Sequence, residues 1–154
     1  MTTELGKCLV TGAAGFLGSR LVRGLLDEGY SVRAVIRNTP LELEHPNLEI
    51  VRGAVEDADR MMEFCRGIDT VFHTAAQLSL LGGKAASESY RKSAYAANVG
   101  GVENLLRACT ANRVSRFVHT SSIDVCFNSE VNTEIDEHTP YATNMSCLYT
   151  ETKI

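Results

Sequence analysis

Thr11-Gly12-Ala13-Ala14-Gly15-Phe16-Leu17-Gly18 is the stretch that decides the fold. Before it, Lys7 to Thr11 is a short apolar run that reads as a strand. After it, Phe16 to Glu28 places Leu17, Leu21, Val22, Leu25 and Leu26 on one helical face, and Gly29 ends the pattern as glycine does at helix C-termini. A glycine-rich turn between a strand and a helix has a physical use. Gly12 allows the tight turn, Gly15 lets backbone approach a pyrophosphate, and Gly18 permits close packing of helix on strand. Free N–H groups at the helix start, aided by the helix dipole, attract phosphate. Gly12, Ala14, Gly15, Phe16, Leu17 and Gly18 are therefore the expected phosphate cradle.

The same alternation continues along the chain. Ser31 to Arg37, Leu48 to Arg52, Thr70 to His73 and Ser115 to Ser121 read as further strands. Asp57 to Arg66 reads as a helix with Asp57 as its N-cap, and Ser87 to Ala111 as mostly helical, with a stripe of Val102, Leu105, Leu106 and Cys109. The Gly82-Gly83 pair breaks the loop between them. Val125 to Cys147 reads as irregular, and a new helix starts near Leu148. Strands that alternate with helices imply an α/β fold with a doubly wound parallel sheet, and right-handed crossovers give the order 3-2-1-4-5.

Composition excludes several classes. Hydrophobic residues make up 44% and charged residues 22%, and the net charge of −4 gives no reason to expect nucleic acid. No apolar run approaches the roughly 20 residues of a membrane span, and Met1 to Lys7 lacks the apolar stretch of a secretory signal. The five cysteines are scattered without metal-ligand or redox spacing, so they read as buried, reduced thiols of a cytoplasmic protein, with no metal site.

Tyr149 and Lys153 are four residues apart and share a face if the last segment is helical. A nearby ammonium lowers the proton affinity of a phenol, which makes tyrosine a usable general acid or base near neutral pH. A hydroxyl at the end of the fifth strand would complete the constellation. Thr120-Ser121-Ser122 supplies it, with Ser122 preferred for its distance from Val125 and Ser121 as the fallback. At the end of the second strand, where an acid would favour NAD(H), the sequence has Arg37. A guanidinium there can hold a 2′-phosphate bidentately, so NADP(H) is favoured over NAD(H).

Together these motifs resemble the extended short-chain dehydrogenase/reductase family, and the resemblance runs along the whole chain. It implies a Rossmann fold, with residues 1–154 as the NAD(P)-binding domain. It also implies Tyr149 as acid/base, Lys153 as a further contact to the nicotinamide ribose, and Ser122 as the group that orients the reacting oxygen. Val71-Phe72-His73-Thr74-Ala75-Ala76 is similar to the family's segment beside the cofactor, which makes His73, Ala75 and Ala76 cofactor neighbours. Asn98 resembles the family's helix asparagine near the active site, with a structural role ranked first. His73 and His119 read as satisfied core or cofactor-adjacent imidazoles rather than metal ligands. The family usually has an aspartate after the glycine that follows the third strand; here Gly53 precedes Ala54, and Glu56 and Asp57 come later.

Within the family, VFHTA at 71–75 and TSSIDV at 120–125 resemble the 3β-hydroxysteroid dehydrogenase branch, where epimerases more often continue with Val-Tyr-Gly. The expected function is interconversion of a secondary alcohol and a ketone. The alternatives are a sugar-nucleotide epimerase or dehydratase, a dihydroflavonol-type reductase, and a non-catalytic dinucleotide-sensing module. The family usually continues with more strands and a substrate domain, so this chain reads as an N-terminal piece with little or no turnover of its own. By analogy, the Ser87 to Ala111 helix is a candidate surface for a homodimer.

Overall fold

In a computed structural model, described here for residues 4–78, 87–126, 134–143 and 148–154, five short strands line up in the order β3-β2-β1-β4-β5, all parallel. They are β1 (Cys8–Thr11), β2 (Val32–Ile36), β3 (Leu48–Arg52), β4 (Thr70–His73) and β5 (Arg116–His119). Their starts are aligned, with Cys8 opposite both Val32 and Thr70, Val32 opposite Leu48, and Thr70 opposite Arg116. This is the doubly wound order that the sequence implies. The helices are α1 (Phe16–Asp27), α2 (Ala58–Phe64), α3 (Glu88–Tyr95), α4 (Gly101–Asn112) and α5 (Leu148–Lys153). A π-helical turn (Ala96–Gly100) joins α3 to α4, and a 3-10 turn (Ile123–Val125) follows β5. Gly82, Gly83 and Cys147 lie outside the described residues, as do residues 127–133 and 144–147 of the stretch expected to be irregular.

The chain divides into two compact units. The first takes residues up to 76 together with 100–120 and contains the whole sheet. Side chains alternate across a strand, and here both faces are covered, which is why the strands are apolar at consecutive positions. Cys8 and Val10 point to one face and pack with Val22, Leu25 and Leu26 of α1. Leu9 and Val71 point to the other and pack with Met61 and Phe64 of α2 and Leu105 and Ala108 of α4. Asn104 and Asn112 of α4 donate to the carbonyls of Val55, Glu56 and Met62, so the two helices are tied at both ends. Asp57 caps α2 by accepting from the Arg60 N–H at 3.0 Å, as its position before the helix predicts.

Arg33 has a structural role. Its guanidinium donates to Glu49 and to the carbonyls of Phe64 and Arg66, which fixes the C-terminal end of α2 against β2 and β3. The thiols serve the core too. Burial, with the Asp69 carboxylate nearby, pushes the Cys8 thiol up to about 11. Cys65 and Cys109 meet between α2 and α4, and the hydrogen bond between them, with burial, pushes Cys65 well above the ordinary thiol range.

The second unit takes residues 77–99 and 121–154. Ser87 caps α3 by accepting from the Tyr90 N–H at 3.2 Å. Asn98, buried within the π-helical turn, accepts from the Gln77 N–H at 2.7 Å and donates to the Gln77 carbonyl at 3.1 Å. It also donates to Thr152 Oγ1 of α5 at 2.8 Å. The asparagine holds a backbone segment and a helix at once.

Candidate active site

The turn expected to cradle phosphate lies in the first unit. Gly12 has φ +67°, a left-handed conformation that L side chains rarely adopt, and a Cβ there would stand 2.8 Å from the Ala75 nitrogen. A Cβ on Gly18 would strike the Gly12 carbonyl oxygen. The two glycines therefore have separate causes, one a backbone angle and the other the approach of helix to turn. The turn is fastened by the Ala13 N–H donating to Val35 O at 3.2 Å and the Gly15 N–H donating to Gly12 O at 2.9 Å. Gly15 is the N-cap of α1 and no side chain caps that end. The first-turn N–H groups thus face outward from an exposed glycine, and Phe16 and Leu17 beyond it are exposed as well. This arrangement suits an anion brought against backbone, so the residues present fit a dinucleotide pyrophosphate. Arg20, one turn on, donates to the Phe16 carbonyl at 3.0 Å and lies 3.9 Å over the Phe16 ring.

The segment after β4 closes on the same turn. Thr74 Oγ1 donates to Thr11 O at 2.7 Å, and the Ala75 N–H reaches Thr11 Oγ1 at 3.4 Å. His73 is buried and shares a 2.7 Å hydrogen bond between its Nδ1 and Thr11 Oγ1. His119 is exposed and stacks on it with ring centroids 5.2 Å apart. His73 thus joins β1 and β4, and Ala75 and Ala76 lie in the segment that follows β4. Arg37, just past β2, is exposed with Glu56 Oε1 3.9 Å from its Nη1, and its carbonyl accepts from Arg52 Nη1 at 2.9 Å. Glu56 beside Arg37 was visible in the sequence only as an acid that comes late; their pairing depends on how β2 and the loop after β3 meet.

In the second unit, Tyr149 and Lys153 share a face of α5 as their spacing implies. Lys153 Nζ lies 5.9 Å from the centre of the Tyr149 ring. Tyr149 is buried, and burial of the Lys153 ammonium holds its pKa below the usual lysine range. Ser122 caps the 3-10 turn. Its Oγ accepts from the Asp124 N–H and donates to Asp124 Oδ2, both at 3.2 Å. Ser121 is exposed.

One feature of this unit was not legible from motif spacing. Glu151, midway between Tyr149 and Lys153, accepts at Oε1 from Arg91 Nη2 at 2.8 Å and from the Tyr95 hydroxyl at 2.5 Å. Its partners lie 60 and 56 residues earlier in the chain, and no local pattern announces such a pairing. Among the described residues no three His, Cys, Asp or Glu side chains cluster as a metal ion would require. No described helix is long and apolar enough to cross a membrane.

A parallel 3-2-1-4-5 sheet with a glycine-rich turn after β1 defines a Rossmann-type fold of the short-chain dehydrogenase/reductase kind. The chain belongs to the NAD dependent epimerase/dehydratase family, whose model matches residues 8–154. It is 47% identical over its whole length to a 3 beta-hydroxysteroid dehydrogenase/Delta 5-->4-isomerase of Mycobacterium tuberculosis. It is 40% identical, again over its whole length, to a 3-beta-hydroxysteroid dehydrogenase of Mycolicibacterium neoaurum. In both cases it spans 42% of the relative's length. Among solved structures, a short-chain dehydrogenase/reductase superfamily protein of Agrobacterium tumefaciens with bound NAD is similar, with a TM-score of 0.77 and 31% identity. That match covers 96% of this chain and 42% of the other.

Proposed function

We propose that residues 1–154 are the dinucleotide-binding part of an NADP(H)-linked oxidoreductase that interconverts a secondary alcohol and a ketone, with a 3β-hydroxysteroid as substrate class. The observation that carries this reading is the buried phenol of Tyr149 with an ammonium 5.9 Å from its ring on the same face of α5. The relatives named for 3β-hydroxysteroid dehydrogenase activity support the substrate class.

The residues divide the work by their chemistry. Gly12, Ala14, Gly15, Phe16, Leu17 and Gly18 hold the pyrophosphate against backbone N–H groups, and His73, Ala75 and Ala76 form the loop beside it. When bound, the nicotinamide accepts or returns the hydride. Lys153 contacts the nicotinamide ribose and, as an ammonium, favours the phenolate of Tyr149. In alcohol oxidation the Tyr149 phenolate takes the hydroxyl proton; in ketone reduction the phenol returns it. Ser122 turns its hydroxyl from Asp124 to the substrate oxygen. The desolvation that depresses Lys153 also strengthens its field at the phenol, since a buried charge is poorly screened.

Arg37 supports NADP(H) as the preferred coenzyme, because an exposed guanidinium at the end of β2 can take a 2′-phosphate. The free thiols fit the reducing cytoplasm, and by analogy the stretch from Ser87 to Ala111 is where we place a homodimer contact. The family match favours one second reading, a sugar-nucleotide epimerase or dehydratase that retains its nicotinamide through the cycle. The test is turnover of a 3β-hydroxysteroid with NADP+ by the protein purified at its natural length. Tyr149→Phe is expected to keep coenzyme binding and lose about 10²-fold or more in rate. Coenzyme that survives purification unexchanged, with no steroid turnover, would move the assignment to the epimerase reading. Full activity in Tyr149→Phe would defeat both.

A further inference from the structure

Helix α5 (Leu148–Lys153) carries both Tyr149 and Lys153, and its contacts with the residues packed against it decide which way these side chains face. On a helix, Tyr149 and Lys153 are separated by about 40°, whereas Glu151 lies about 200° from each, on the opposite side. That opposite side is where α5 is fastened. The Glu151 carboxylate takes the Arg91 guanidinium at 2.8 Å and the Tyr95 hydroxyl at 2.5 Å on the same oxygen. Arg91 and Tyr95 are themselves four apart on α3, and the guanidinium lies 6.0 Å over the Tyr95 ring. The next residue of α5, Thr152, accepts from Asn98 Nδ2 at 2.8 Å and donates back to the Tyr149 carbonyl at 3.0 Å. Two consecutive residues are thus pinned to α3 and the π-helical turn.

A half-exposed ion pair contributes little to stability in general. Its place on this helix gives it another use. We propose that Glu151 is a positioning residue, clamped by Arg91 and Tyr95, which fixes the rotation of α5 about its axis and so presents Tyr149 and Lys153 on the side away from α3. This rests on the reading of Tyr149 and Lys153 as the reacting pair. Without the clamp the phenol and ammonium remain but sample a range of orientations, so fewer encounters with bound substrate are productive. Coenzyme affinity, set chiefly by the glycine turn, is little changed.

The test compares Glu151→Ala, Arg91→Ala, their double variant and Tyr95→Phe in the protein at its natural length. Thermal melting confirms that each folds, and Tyr95→Phe, which deletes one exposed hydroxyl, keeps the test open if a larger change unfolds the chain. Expected are a fall in kcat of about tenfold for Glu151→Ala and Arg91→Ala, and a smaller fall for Tyr95→Phe. The Km for coenzyme and its directly titrated affinity stay within twofold. The double variant is no worse than either single one, because both remove the same clamp. Faster amide exchange at Thr152 and Lys153 in Glu151→Ala, measured without coenzyme, accompanies the loss. A kcat within twofold of the parent in Glu151→Ala, or losses that multiply in the double variant, overturns the clamp while the site reading stands. Undiminished turnover in Tyr149→Phe overturns the site reading itself.

Discussion

The carbonyl oxygen of Gly12 occupies the space that a side chain on Gly18 would need. The turn and the first helix are therefore in backbone contact, with no flexible group between them to yield. That contact sets how far the start of α1 stands from the end of β1, and so where the first-turn N–H groups sit. It follows that Gly18→Ala moves backbone. Overpacking of this kind costs about 1–3 kcal/mol. A denaturant midpoint is expected to fall accordingly, and coenzyme affinity to fall tenfold or more as the N–H groups are displaced. A variant with parental stability and affinity would show that the turn adjusts freely.

Arg37 and Glu56 stand 3.9 Å apart, both outside the core. If Arg37 takes the 2′-phosphate, Glu56 competes with that phosphate for the same guanidinium. Arg37→Glu is expected to weaken NADPH binding at least tenfold and leave NADH binding nearly unchanged or improved. Glu56→Gln, by removing the competitor, is expected to tighten NADPH alone. Parallel titrations of the two coenzymes read both effects, and they should shrink with added salt because Arg37 is exposed and Glu56 only partly buried.

Glu49 supplies a pH dependence of stability. Burial alone would raise its carboxyl, but the hydrogen bonds and charges of Lys7 and Arg33 outweigh that and hold it below the usual carboxylate range. A carboxyl with a lowered folded value stabilises the fold above its unfolded pKa, and the contribution is lost as pH falls through the folded value. Glu49→Gln is therefore expected to lower the melting temperature at neutral pH and to make its decline below about pH 4.5 shallower than in the parent. Equal acid sensitivity in both proteins would exclude Glu49 as a source.

Much of this was legible in the sequence because local physics decides it. Leu48–Arg52 and Thr70–His73 form strands with the expected bounds, since apolar runs flanked by loop residues leave little choice. Strand ends are set by pairing. Lys7, Ser31 and Arg37 lie just outside β1 and β2, where pairing with neighbours rather than side-chain type sets the limit. The single helical stretch expected from Ser87 to Ala111 is two helices joined by a π-helical turn at Asn98. In that turn Asn98 holds the Gln77 backbone, a contact 21 residues long in sequence that local periodicity does not announce. Tyr149 and Lys153 announced their common face by spacing. Arg91, Tyr95 and Glu151 could not, because only the folded chain brings them together. The same holds for Cys65 and Cys109, which look scattered on paper and meet in the core.

The most direct test is a calorimetric titration of NADPH into the purified protein, with Gly15→Val run beside it. Gly15 has φ −79° and ψ 175°, a backbone any residue adopts, and a Cβ there would stand 3.1 Å from the Gly12 carbonyl oxygen, so the variant's fold is checked by thermal melting while its side chain covers the expected cradle. The predicted result is saturable one-to-one binding by the parent and its loss in Gly15→Val. No binding by the folded parent, or equal binding by both, would contradict the assignment.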